Sequence, residues 1–224
     1  MKLPQFIHVT SMGIIGCMLS LDVAAHALWL EKEAGAIRLY FGEYAENLRE
    51  PSPGRLDSII EPKVTVVNAK GVEKPVEARR ENNYFAIPAA IPAGKEAQDG
   101  AVLVQALKQS IREPQGQIPS PTYRRFLYTR LGSGGSLPLD IQESGNTLRL
   151  TYLGKPVPKV EIVVIAPNGW EKHLQTDEKG EVTYSLLEPG LYVIEAKYEM
   201  HKPGEFEGKA YAVESHKITR SLYK

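Results

Sequence analysis

Histidine is the residue type in this chain with the most varied coordination chemistry, and there are five: His8, His26, His173, His201 and His216. No two of them stand at His-x-His or His-x-x-x-His spacing, so a metal site has to be assembled by the fold from distant residues. His26 is the informative one. It follows Val23-Ala24-Ala25, a small-x-small triplet of the kind cut by signal peptidase. Cleavage after Ala25 makes His26 a first residue, whose α-amine and ring can chelate one cation together. His216, and with it His201, are the candidates to complete the ligand set. Such nitrogen donors suit Cu(II), Ni(II) or Zn(II), with copper favoured by the general affinity order. His173, beside Lys172 in a charged stretch, is expected to be a surface residue.

Other chemistry is thinner. Glu31, Glu33, Glu43, Glu46 and Glu50 crowd the same end of the chain and could add a carboxylate ligand. They lack the Asp-x-Asp-x-Asp pattern of a calcium loop, so a solvated acidic face is their ordinary reading. Trp29 and Trp170 could stack on a sugar, although packing is the commoner use of tryptophan. No Gly-x-Ser-x-Gly elbow, no His-Glu-x-x-His pair and no cysteine after Cys17 is present, so the expectation is a protein that is not an enzyme. A copper-oxidase type of site at an N-terminal histidine is the exception kept open.

The elements that would position these residues read as strands. Lys2, the apolar run Met12 to Leu21 and the alanines before His26 form an export signal over residues 1–25. Two alternatives stay open: cleavage after Ala27, which removes His26, and lipidation at Cys17 in Ile14-Ile15-Gly16-Cys17. All three place the protein outside the cytoplasm, in the periplasm. Basic and acidic residues balance at 27 each among 224, so no net field draws the chain to nucleic acid. The 16 prolines and 19 glycines punctuate short β-favouring runs. Strands are expected at 36–41, 63–67, 72–79, 84–87, 101–107 and 123–131, then at 147–152, 159–166, 170–176, 181–185, 191–197 and 211–223. One short helix is expected from Pro53 to Ile60, capped by Ser52. Loops are expected around Pro88 to Gly94 and from Arg112 to Pro121. Leu131-Gly132-Ser133-Gly134-Gly135-Ser136 reads as a link between an N-terminal β domain, 26–135, and a C-terminal β-sandwich, 145–224. The fold class is therefore all-β, built of β-sandwich domains.

Two resemblances add to this reading. Gly154-Lys155-Pro156-Val157, Thr176-Asp177-Glu178-Lys179-Gly180 and Gly190-Leu191-Tyr192-Val193 resemble the carboxypeptidase-regulatory-like, prealbumin-like β-sandwich module. With His26-Ala27-Leu28-Trp29-Leu30 and the stretch from Lys202-Pro203-Gly204-Glu205 to Tyr211 before His216, the whole mature chain resembles a domain-of-unknown-function family. Its members are exported bacterial proteins, some associated with nickel or cobalt uptake (NikM-like). Nickel-uptake relatives tend to carry further N-terminal histidines, whereas here His26 stands alone. The resemblance implies a periplasmic metal-handling or transport-accessory role.

The sequence thus leads to an exported binding protein for a transition-metal ion (nickel, cobalt, copper or zinc) or its complex. His26, His201 and His216 are its candidate ligands, and a membrane transporter or envelope protein is its partner. A β-sandwich adaptor for an envelope protein is the first alternative, carbohydrate binding the second.

Overall fold

The computed structural model describes residues 26–33, 36–88, 100–111 and 121–224. The expected export signal with Cys17, most of the loop ending near Gly94 and most of the connection from Arg112 lie outside them. In chain order the first strands are β1 (Ala27–Glu33), β2 (Ala36–Glu43), β3 (Leu48–Arg49), β4 (Ile59–Val67), β5 (Glu73–Val76), β6 (Arg79–Arg80), β7 (Phe85–Ile87), β8 (Ala101–Lys108) and β9 (Tyr123–Gly132). Then come β10 (Leu139–Ser144), β11 (Thr147–Tyr152), β12 (Lys155–Pro156), β13 (Glu161–Ile165), β14 (Glu171–Gln175), β15 (Glu181–Thr183), β16 (Leu191–Phe206) and β17 (Lys209–Tyr223).

These strands form three sheets and the architecture is an all-β sandwich. An eight-stranded sheet, ordered β14-β13-β16-β17-β9-β8-β4-β5, is the central layer. On one face lies the sheet β1-β2-β7-β6 with β3 beside β2; on the other lies β10-β11-β12 with β15 beside β11. The alternation of side chains along each central strand explains the layering. In β9, Leu127 and Leu131 join the core under the first sheet, while Tyr128 joins the core under the third. In β17, the Thr219 hydroxyl donates to the Leu28 carbonyl and the Ser221 Oγ accepts from the Leu30 amide, 3.1 Å away, both in β1. Their neighbour Ile218 points the opposite way, towards Leu139, Ile141, Leu148 and Leu150. A strand covered on both faces should read as continuously apolar. Ala101 to Val104 does so: Val102 and Val104 face the first sheet, Ala101 and Leu103 the third, and the pattern breaks at the exposed Gln105.

The stretch read as an interdomain link, Leu131 to Ser136, lies at the end of β9, in the middle of this body. The Gly134 carbonyl accepts from Arg130 Nη2 at 2.9 Å. Strands from both sides of it share the central sheet, because β17 pairs with β9 in parallel register, His216 beside Phe126 and Ile218 beside Tyr128. Arg130 also grips both oxygens of Asp140 in β10 at 2.8 Å, tying central and third layers through a pair at most 2 % exposed. The helix expected from Pro53 to Ile60 is a single 3-10 turn, Arg55–Ser58. Ser52 does not cap it; its hydroxyl donates to Asp57 Oδ1 at 2.7 Å. From Ile59 the chain is already β4, where burial of Ile59 and Val64 against the first sheet wins over local helix signals.

Candidate metal centre at His26

His26 immediately precedes β1. The register Ala27 opposite Gly42 sets Glu43, the last residue of β2, across from it. Gly42 then makes the next step possible. A Cβ there would stand 2.1 Å from the Leu48 carbonyl oxygen, so only glycine lets β3 pack this tightly on β2. The Glu50 amide continues the pairing by donating to the Phe41 carbonyl at 2.8 Å. Two glutamates seven residues apart are thereby brought to one histidine.

The ring of His26 is held between them. Its Nδ1 is 2.9 Å from Glu43 Oε1, and its Nε2 is in hydrogen-bond contact with Glu50 Oε1. Arg55 Nη1 lies 3.6 Å from the same Glu50 oxygen and 3.3 Å from His26 Nε2. The ring packs on Phe41 with centroids 5.4 Å apart. Lys108 Nζ sits 4.3 Å from the Phe41 centroid and bonds Ser58 Oγ. Burial, with help from Arg125 and Arg55 and against the pull of Glu50, brings the Lys108 ammonium down to about 8. The His26 side chain is 20 % exposed, so the site is reachable from solvent.

A neutral imidazole has one N–H and can satisfy one of two facing carboxylates. In the tautomer that donates Nε2–H to Glu50, the Nδ1 lone pair confronts a Glu43 oxygen, an arrangement that a proton or a cation between them resolves. The 2.9 Å separation of His26 Nδ1 and Glu43 Oε1 is that of a hydrogen bond between them. A carboxylate on the far nitrogen is the usual support of a ligating histidine. Among the described residues no group of three His, Cys, Asp or Glu side chains is gathered to hold a metal ion. Glu50 lies on the other ring nitrogen from Glu43, so only the Nδ1 of His26 and Glu43 address one point between them.

The three histidines singled out by the sequence do not meet. His216 faces the third sheet, across the central layer from β1. It is 3 % exposed, stacks on Phe126 at 4.7 Å, and places Nδ1 3.0 Å from Tyr128 Oη and Nε2 3.4 Å from Glu214 Oε2. Burial lowers its pKa, opposed by Glu214 and reinforced by Lys202. His201, expected in a loop, stands exposed on β16 opposite Val213, just ahead of a bulge that absorbs Pro203. His173 is a surface residue flanked by Glu161 at 3.2 Å and Glu171 at 3.4 Å. Of the early acidic cluster, Glu43 and Glu50 serve His26. Arg55 and Lys108 carried no sequence signal, since their roles arise only from the turn after β3 and the end of β8.

The tryptophans also separate. Trp29 is fully buried, bonds Glu31 through Nε1 at 2.7 Å and stacks with Tyr40. Trp170 is 58 % exposed. In comparisons with known proteins, no family model, no curated protein and no solved structure matches this chain.

Proposed function

We propose that this chain is an exported, non-enzymatic binding protein for a transition-metal ion or its complex, accessory to an uptake system. One observation carries the reading: each ring nitrogen of His26 faces its own carboxylate. After removal of residues 1–25, the α-amine and Nδ1 of His26 chelate the ion and Glu43 supplies an oxygen. Glu50, screened by Arg55, fixes the imidazole tautomer by taking Nε2–H. His201 and His216 take no part. The metal is cargo, handed to an envelope transporter.

The test uses protein secreted with its native N-terminus, analysed by intact mass and titrated with Cu(II), Ni(II), Co(II) and Zn(II). The expected result is a mass starting at His26 and one equivalent of bound ion. A second form that retains one residue before His26 should lose at least ~100-fold in affinity, because its amine is an amide. A start at Leu28, or equal affinity in both forms, would sink the proposal. The protein would then be better described as a β-sandwich adaptor for an envelope protein.

A further inference from the structure

The geometry points to a second binding site, for a neutral carbohydrate, in the groove between the edges of the central and third sheets where Trp170 is displayed. It is independent of the His26 site. The groove encloses about 170 Å³. Tyr184 and Tyr192 line its depth, and Trp170 and Leu187, 58 % and 76 % exposed, form its lips. Lys172 and Glu188 also line it.

The backbone of Trp170 is fixed by a turn in which the Ala166 amide donates to its carbonyl at 2.8 Å and its own amide donates to Asn168 Oδ1 at 3.0 Å. Gly169, at φ +82°, lets this turn sit on the Ala45 carbonyl, 2.9 Å from where a Cβ would be. The facing wall is fixed too: Tyr192 Oη accepts from the Glu188 amide at 3.0 Å and donates to the Glu188 carbonyl at 3.1 Å. Against this order, the indole of Trp170 has no hydrogen bond or ring partner among the described residues, unlike that of Trp29. Lys172 and Glu188 carry opposite charges on one groove, yet neither forms an ion pair among the described residues.

The chemistry of the rim selects the occupant. Lys172 and Glu188 together give the rim no net charge, so neither an anion nor a cation is favoured over a neutral ligand. A purely apolar side chain would cover Trp170 and leave both charges without partners. A pyranose offers an apolar C–H face to an indole plane, as aromatic platforms require. Its hydroxyls both accept, as Lys172 needs, and donate, as Glu188 needs. The volume suits one sugar ring with its neighbours running out into solvent, so a chain-end or internal unit of a neutral glycan is the ligand class.

Tryptophan emission reads this directly, because Trp29 is inaccessible. Full-length mature protein is titrated with maltotriose, cellotriose and tri-N-acetylchitotriose, each to about 10 mM. At least one should shift the emission to the blue and saturate with a Kd of about 1 mM or tighter. Trp170→Ala should abolish binding measured by calorimetry. Lys172→Met and Glu188→Gln should each weaken it about tenfold, with circular dichroism and Tm unchanged. Failure of all three sugars to saturate overturns the inference. So does equal calorimetric binding by Trp170→Ala, or saturation by an uncharged apolar pentapeptide and by no sugar. Loading the protein with Cu(II) should leave the sugar Kd unchanged, whatever the fate of the His26 proposal.

Discussion

His26 and His216 stand on opposite sides of the central sheet, each within 3.4 Å of a glutamate, and the two environments lead to different chemistry. At His26 two carboxylates address one ring, and one side of the group is open to water. At His216 the single nearby carboxylate already receives Lys202 at 3.1 Å and faces Tyr211 at 3.5 Å, while the imidazole is stacked on Phe126 and Tyr128. Residue type is the same. What differs is how many acceptors remain uncommitted and how much solvation a charged ring would lose. The first site is where the proposed cation would be held; at the second the neutral ring is part of the packing.

The contrast is tested most severely on the third-sheet side, where Arg130 and Asp140 are buried as a tight pair. Asp140→Ala leaves Arg130 buried without its bidentate acceptor, and the loss should be about 3–5 kcal/mol by urea unfolding. A loss under about 1 kcal/mol would show that this face tolerates lone charges and would remove the basis of the contrast. At His26 the expected effects fall on affinity instead. Glu43→Gln should weaken Cu(II) binding more than Glu50→Gln, for which the loss should be about 10–100-fold, with little change in Tm. The reverse order would make Glu50 the ligand and Glu43 the support.

A smaller effect concerns pH. The pKa of His216 in the folded protein lies below the unfolded value of 6.5. As pH falls through about 6.5 the unfolded chain takes up a proton that the native protein refuses, so stability drops until the native ring also titrates. Above that range His216 is neutral in both states and contributes no slope. Asp57 and Asp177 are shifted downward from 3.8, Asp57 first by its Ser52 hydrogen bond and Asp177 first by the Glu181 amide, and so act only at lower pH. The urea midpoint should therefore fall between pH 7.5 and 5.5, and His216→Phe, which keeps the stack on Phe126, should flatten that fall. An unchanged slope in the variant would assign it to another histidine.

Much of the fold was legible because local signals and burial agree. Glu161–Ile165 and Glu171–Gln175 flank Pro167-Asn168-Gly169, and they pair as an antiparallel hairpin. The run Ala101 to Leu107 announced a well-buried strand, and its first four residues are buried on both faces. Where local and tertiary forces conflict, the reading failed in an instructive way. No strand was expected between 197 and 211, but the long β16–β17 hairpin carries Pro203 in a bulge and turns only after Phe206. Pro53 suggested a helix that the apolar β4 overrides. At the site, His26 and an acidic cluster were visible as residue types. The assignment of one acid to each nitrogen was not, since it depends on the register of β1 on β2 and on the close passage allowed by Gly42. Nor could spacing reveal that His216 faces the other way, because that follows from which neighbour β17 chooses.

That choice has a consequence for the order of assembly. β17 lies between β16 and β9, the one parallel partnership among the described strands. Until its residues have left the ribosome and crossed whatever barrier the chain crosses, β9-β8-β4-β5 and β14-β13-β16 are two fragments, each ending in an open edge. Joining them closes a loop of some ninety residues, from Phe126 to His216, which is a slow kind of step. The late-arriving strand acts as a keystone, and the half-built sheet, with its open edges, is the species most exposed to wrong pairing.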